Sequence, residues 1–372
     1  HTRCARWSRG LGDVYKRQAV HAAHSTFDDG VFNRGAFMIR VFDGEWPSRA
    51  LKQRIRHITL ALHDLLWVDY RDALEILRGV SPESVEGIIR WVLTDYVQVY
   101  GLDDWEASML ALEEFTQHFS AEFAIRPFIV RYPERTLAQM LAWAGHQSAE
   151  VRRLASEGCR PRLPWGIRLQ RLVADPSPIL PILERLKDDG SESVRKSVAN
   201  NLNDISKDNP DVVLELLRGW QPDATDQVRW ITGHALRTLV KQGHPGALDL
   251  LGYPGDPAIA VRNLSVEPQS IQIGDQVTLS FEIESLAGDP MNLMIDYVVY
   301  HMRANGRRTP KVFKLTKRVI RPGEVLRIER KHSFAPVTTR RYYPGEQAIE
   351  PKINGKLFGR AGFALEEAES QG

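Results

Sequence analysis

Three carboxylates sit in surroundings unlike those of an ordinary helix-surface acid: Glu122 in SAEFAIRPF, Glu157 in ASEGCRPRLPW and Asp204 in NNLNDIS. Glu122 follows Ser120, a residue that can cap a helix, so it also reads as a first-turn acid on the favourable end of a helix dipole. Glu157 falls where a helix should end, the unfavourable end for a negative charge. The segment after it is rigid and arginine-rich, a poor candidate for a mere connector. Asp204 follows Asn200, Asn201 and Asn203, so it reads either as a reacting group or as part of a polar network capping neighbouring turns. Carboxylates in such settings can stabilise a developing cation or position water. Trp165, after Pro164, either plugs a gap between helices or offers its ring face to a cation or a nucleotide.

Other chemistries lack their motifs. The chain contains no phosphate-binding glycine loop, no serine nucleophile elbow and no Cys-x-x-Cys or His-Glu-x-x-His spacing, which removes the common nucleotide-dependent, hydrolase and zinc-enzyme readings. Two cysteines, Cys4 and Cys159, cannot build a disulfide framework, and this fits a reducing, cytoplasmic setting. No apolar run approaches the ~20 residues that span a bilayer. Lys+Arg 49 against Asp+Glu 47 leaves a net charge of +2, so any polyanion-binding character must be local. It is concentrated in two zones. Residues 126–171 carry nine arginines against three glutamates, and residues 303–341 carry thirteen basic residues against two acidic ones. Each zone alone could be a solvated face; together they could neutralise phosphates from two domains.

The elements that must position these groups follow from periodicity. From residue 46 to about 251 the pattern is helical, broken every 10 to 25 residues by Pro, Gly or Asn. Leu51, Ile55, Ile58, Leu62 and Leu65 form the apolar stripe of one such helix. An internal echo, SAEVRRLASEG from Ser148, SESVRKSVANNL from Ser191 and TDQVRWITGHAL from Thr225, places Val-Arg pairs 43 and 34 residues apart. Each pair follows a Ser or Thr able to cap a helix, with Val facing the core. The intervals match helical-hairpin repeats. After residue 257 the texture turns to alternating β-branched strands at 260–266, 277–283, 293–300, 312–319 and 325–333, with Asn305-Gly306 a good hairpin turn. The fold class is an α-solenoid of HEAT-like helical repeats followed by an immunoglobulin-like all-β sandwich. Residues 19–256 form the first domain and 257–372 the second. Residues 1–18 lack helical or strand periodicity and LGDVYKRQ resembles translated adaptor sequence, so they read as a non-native or misread segment; the alternative is a basic arm.

The segments AEFAIRPFIVRY (121–132), EVRRLASEGCRPRLPW (150–165) and SVRKSVANNLNDISKDNP (193–210) resemble the HEAT-like DNA alkylation-repair glycosylases of the AlkC and AlkD type, with the second and third blocks closer to the AlkC branch. A following immunoglobulin-like domain extends the resemblance to nearly the whole chain. It implies a base-excision-repair enzyme, a monofunctional hydrolase acting on the N-glycosidic bond of cationic alkylated bases such as 3-methyladenine and 3-methylcytosine in duplex DNA. It further implies lesion access by DNA bending and backbone contact rather than a deep base pocket. On the same footing Glu122, Glu157 and Asp204 are catalytic, Asp204 and Glu157 serving the sugar cation or the water and Glu122 supporting them. Trp165 contacts the lesion nucleotide, and Arg152, Arg160 and Arg162 bind phosphates. The expected partner is double-stranded alkylated DNA, bound by a monomer with no cofactor or metal, no membrane and no obligate protein partner. The competing reading is a non-catalytic helical-repeat scaffold for damaged or branched DNA, since solenoids are more often binding platforms than enzymes.

Overall fold

The computed structural model describes residues 32–79, 90–338 and 340–367; residues 1–18 lie outside them. Helices succeed one another as α1 (Arg34–Val41), α2 (Leu51–Leu66), α3 (Tyr70–Arg78), α4 (Trp91–Tyr100), α5 (Trp105–Phe115), α6 (Arg126–Arg131), α7 (Pro133–Trp143) and α8 (Ala149–Glu157). They continue as α9 (Gln170–Ala174), α10 (Leu180–Leu186), α11 (Glu192–Ile205), α12 (Pro210–Gly219), α13 (Asp226–Ala235), α14 (Arg237–Gln242) and α15 (Pro245–Leu250). Among the described residues no helix is long and apolar enough to cross a membrane. By contacts the chain divides into two compact units. One comprises His1–Asn209 with Asp223–Ala235, and the other Pro210–Pro222 with Leu236–Gly372, so α12, α14 and α15 group with the strands.

In the first unit α2 buries Ile55, Ile58, Leu62 and Leu66. The last of these, rather than Leu65, completes the stripe because a 3.6-residue turn drifts past a strict three-four step. The Val-Arg echo corresponds to the starts of α8, α11 and α13, whose Val151, Val194 and Val228 are buried. Of the three expected caps only Thr225 acts through its side chain, accepting from the Val228 N–H at 3.2 Å. The Ser148 and Ser191 hydroxyls turn instead to Glu150 and Ser193. What recurs in all three is the arginine. Arg152 Nη1 donates to the His146 and Gln147 carbonyls at 2.9 and 2.8 Å. Arg195 does the same to Asp189 and Gly190 at 2.6 and 2.9 Å, and Arg229 to Ala224. The motif is thus a staple that closes the loop entering each helix, satisfying carbonyls that would otherwise lack partners.

In the second unit, strands β1 (Ile259–Glu267), β3 (Gln276–Ser285) and β6 (Val325–Ser333) form an antiparallel sheet in the order β1-β3-β6. The second sheet runs β2-β9-β7-β4-β5, from β2 (Ser270–Gln272), β9 (Ala361–Glu366), β7 (Gly345–Ile353), β4 (Met291–Met302) and β5 (Arg308–Ile320), with β8 (Lys356–Leu357) paired to β7. Alternation along β3 turns Val277, Leu279, Phe281 and Ile283 inward against Leu293, Ile295 and Val299 of β4 and Phe363 of β9. Strand β7 escapes the sequence pattern because it is buried without alternation and contains Pro351, a residue normally kept off central strands. Its β9 partner stops at Ile349, and the Pro351 carbonyl accepts from Phe358 on that side, so the missing N–H faces a gap in the ladder.

Candidate active site

The candidate site is assembled within the first unit from the 120–122 turn, the end of α8, the loop after it, and the last turns of α11. Glu157 is the final residue of α8, whereas Glu122 lies in a turn ahead of α6 rather than in a helical first turn. Ser120 and Arg153 hold Glu122 through its Oε2, each donating at 2.9 Å, and Arg153 Nη1 also donates to Ser120 Oγ at 2.8 Å. The same Arg153 guanidinium lies 3.9 Å from Glu157 Oε1. Arg160 Nη1 donates to Glu157 Oε1 and Ser197 Oγ donates to Glu157 Oε2, both at 2.6 Å. From its other edge Arg160 grips Asp204 Oδ2 through Nε at 2.9 Å, and Lys207 donates to Asp204 Oδ1 at 2.7 Å.

The three acids therefore form one row interleaved with cations: Glu122, Arg153, Glu157, Arg160, Asp204, Lys207. Glu157, Arg160 and Asp204 are buried, while Glu122 is half-buried. Both oxygens of Glu157 and both of Asp204 accept hydrogen bonds, but among the described residues Glu122 Oε1 accepts none. Each of the two buried carboxylates thus has a cationic counter-charge and directed donors, the pairing that offsets the cost of burying a charge. Cys159, at the head of the loop, is fully buried and its thiol is pushed up to about 12 by desolvation, so it is not a nucleophile.

The arginines differ from the sequence expectation. Arg160, expected to bind phosphate, is buried and enclosed between two carboxylates. Arg152 is spent on the loop staple and on a two-pronged pair with Asp189, Nε to Oδ2 at 2.6 Å and Nη2 to Oδ1 at 3.0 Å. Arg162 pairs with Asp208 through Nε and Nη2 and leaves Nη1 uncommitted on a partly exposed side chain. Elsewhere in the basic zone Arg131 and Arg135 pair with Asp103 and Glu106, and Arg126 is completely buried, whereas Arg168 and Arg171 are exposed.

Trp165 projects from the loop with its side chain 69% exposed, on a left-handed backbone at φ 64°. Non-glycine residues rarely take that conformation, and its persistence requires the surroundings to hold it. Two residues not singled out from the sequence do so. Lys52 of α2 donates to the Trp165 carbonyl at 2.5 Å, its ammonium 3.9 Å from the Phe123 ring centroid. Desolvation lowers the Lys52 pKa. Arg126 ties the two ends of the loop, donating to the Gly158 carbonyl at 2.8 Å and to the Ile167 carbonyl at 2.7 Å. Among the described residues its guanidinium has no direct carboxylate partner, and burial pulls its pKa down to about 10, still cationic at neutral pH. A Cβ at Gly166 would meet Arg126 Nε at 3.0 Å, so a side chain there would press on that guanidinium. Arg126 could have been suspected from its place before Pro127 in the same block as Glu122; Lys52, on an otherwise ordinary amphipathic helix, carried no signal.

The family described as "Uncharacterised protein YhaZ, C-terminal Ig-like domain" matches residues 260–367. The "Uncharacterized protein YhaZ" of Bacillus subtilis (strain 168) is 42% identical over 351 residues, 93% of this chain and 97% of that protein. Among solved structures, the Pseudomonas fluorescens alkylpurine DNA glycosylase AlkC, bound to DNA containing an abasic site analog, superposes with a TM-score of 0.86. It is 38% identical, and the match covers 96% of this chain and 99% of that one. With fold, domain order and likeness along nearly the full length in agreement, this chain belongs to the AlkC family of DNA glycosylases.

Proposed function

We propose that this protein is a monofunctional base-excision-repair glycosylase that hydrolyses the N-glycosidic bond of cationic alkylated bases, 3-methyladenine and 3-methylcytosine, in double-stranded DNA. It acts as a monomer. The observation that carries this reading is the row of three carboxylates interleaved with Arg153, Arg160 and Lys207, with one acceptor oxygen, Glu122 Oε1, uncommitted. Alkylation at a ring nitrogen makes the base a cation and therefore a good leaving group, so cleavage requires neither a general acid nor a Lewis acid. What the transition state needs is negative charge near the sugar, where positive charge develops, and a water aimed at C1′.

Glu157 and Asp204 are clamped at both oxygens and cannot turn toward a water without breaking those bonds; they supply fixed negative charge. Glu122 Oε1 suits the water, reversing the emphasis drawn from the sequence. Arg160 positions Glu157 and Asp204 rather than binding phosphate, and Arg152 serves the repeat. Phosphate contact falls to Arg162, through Nη1, and to the exposed Arg168 and Arg171. Trp165 places its ring against the lesion nucleotide. In the β-sandwich, exposed Lys311, Lys314 and Lys317 on β5 add to the affinity for DNA.

The test is release of bases from methylated duplex DNA at saturating protein. Steep loss of 3-methyladenine release in Glu122→Gln, with DNA affinity retained, is the expected result. Absence of release by the intact protein, with salt-sensitive duplex binding preserved, would favour the scaffold reading.

A further inference from the structure

The repeat register extends the catalytic surface beyond the acids. Counting two residues on from the buried Val151, Val194 and Val228 gives Arg153, Lys196 and Trp230; counting six gives Glu157, Asn200 and His234. Positions four apart share a helix stripe, so each of α8, α11 and α13 presents one such pair on equivalent faces. Consecutive helices of this set pack against one another. Side-chain contacts run along parts of it: within α8 Arg153 reaches Glu157 at 3.9 Å, and between α13 and α11 His234 Nε2 lies 3.3 Å from Asn200 Oδ1.

At the last step the chemistry changes. Where α8 carries Arg153 and Glu157, α13 carries two rings, Trp230 and His234, stacked with centroids 5.0 Å apart and planes at 8°. Trp230 is 41% exposed although it is the bulkiest side chain on that helix. The stack and the Asn200 contact fix the imidazole, which in turn fixes the indole. A rigid aromatic surface costs little conformational entropy on binding and presents an apolar face to a sugar or a base.

We propose that Trp230, backed by His234, is a second DNA contact of this protein, packing its ring on a deoxyribose of the duplex flanking the lesion. Resting on the glycosylase reading, the assignment names the flanking duplex as occupant because the ring pair continues the stripe that carries Glu157. Neighbouring packed helices lie about 8–10 Å apart, so two steps amount to roughly 16–20 Å. At about 3.4 Å per base pair that places Trp230 some five pairs from the lesion. Its role would be to register the duplex, leaving bond cleavage to the acids.

The experiment measures affinity for duplexes carrying an abasic-site analogue, either long on both sides or shortened to about three pairs on one side or the other. In the wild type, shortening one particular side should weaken binding. Trp230→Ala should weaken binding of the long duplex about five- to tenfold and match the wild type on the duplex lacking that side. Its single-turnover excision rate at saturating protein should be unchanged, and Trp230→Phe should restore most of the affinity. Equal affinity of Trp230→Ala and wild type for the long duplex would overturn the proposal. So would an equal loss on both duplexes, or a slowed excision rate at saturation. Failure of the wild type to excise any base would instead overturn the glycosylase reading, leaving flank-dependent binding to judge Trp230.

Discussion

At the scale of single residues, the three acids differ in what holds them, and that difference predicts how they respond to substitution. Glu122→Gln removes a charge from a half-buried group with one open oxygen. Excision should fall by about 10²-fold or more, the range of a lost positioned base or charge stabiliser, with the thermal midpoint nearly unchanged. Glu157→Gln leaves Arg160 buried with half its counter-charge, so excision and stability should fall together, the latter by about 3 kcal/mol. Calorimetry beside single-turnover kinetics separates the two cases. Trp165 depends on Lys52 in a way the kinetics should also reveal. Lys52→Met releases the Trp165 carbonyl, so the excision rate at saturation should drop several-fold while duplex affinity changes little. An equal loss in affinity would instead assign Lys52 to phosphate.

At the scale of elements, the repeats are closed by arginine staples whose acid partner is titratable. Burial works against ionisation of Asp189, but the Arg152 guanidinium and the Ser191 N–H outweigh it and hold the carboxyl below the ordinary aspartate range. A group depressed in the folded state contributes stability above its unfolded pKa of about 3.9 and loses that contribution as pH falls through the folded value. Asp189→Asn should therefore cost about 1.5–3 kcal/mol near neutral pH and flatten the acid limb of stability against pH, read from urea midpoints between pH 7 and pH 3. These elements were largely legible in the sequence: the Val-Arg echo marks α8, α11 and α13, and β-branched runs between turn signals mark β1 and β3 to β6. Strand β7 was not, because a strand buried on both faces has no period-two signature and Pro351 argues against it.

At the scale of the whole molecule, net charge is nearly balanced, and the structure shows how. In the helical zone most arginines are consumed by neighbouring acids, whereas on β5, an edge strand, Lys311, Lys314 and Lys317 stand exposed. Lysines on an edge also protect against strand addition, and salt separates that role from DNA binding. If they neutralise phosphates, replacing all three by Gln should shallow the slope of log affinity against log salt by about 0.9 for each phosphate no longer neutralised. An unchanged slope would leave them as guards of the edge.

The sequence by itself determined the change from helices to strands, the repeat register and the acids worth suspecting, because these are written in local spacing: 3.6 or 2 residues per turn of pattern, a helix end, an arginine-rich loop. Only the tertiary structure decided which cations meet which acids. Arg152 and Arg160 look alike in sequence, yet one closes a loop and the other is sealed between Glu157 and Asp204, 44 residues from the latter along the chain. Lys52 reaches Trp165 across 113 residues. An ion pair or a captured carbonyl is set by the three-dimensional approach of two groups and by the desolvation that approach imposes, and neither leaves a period in the chain.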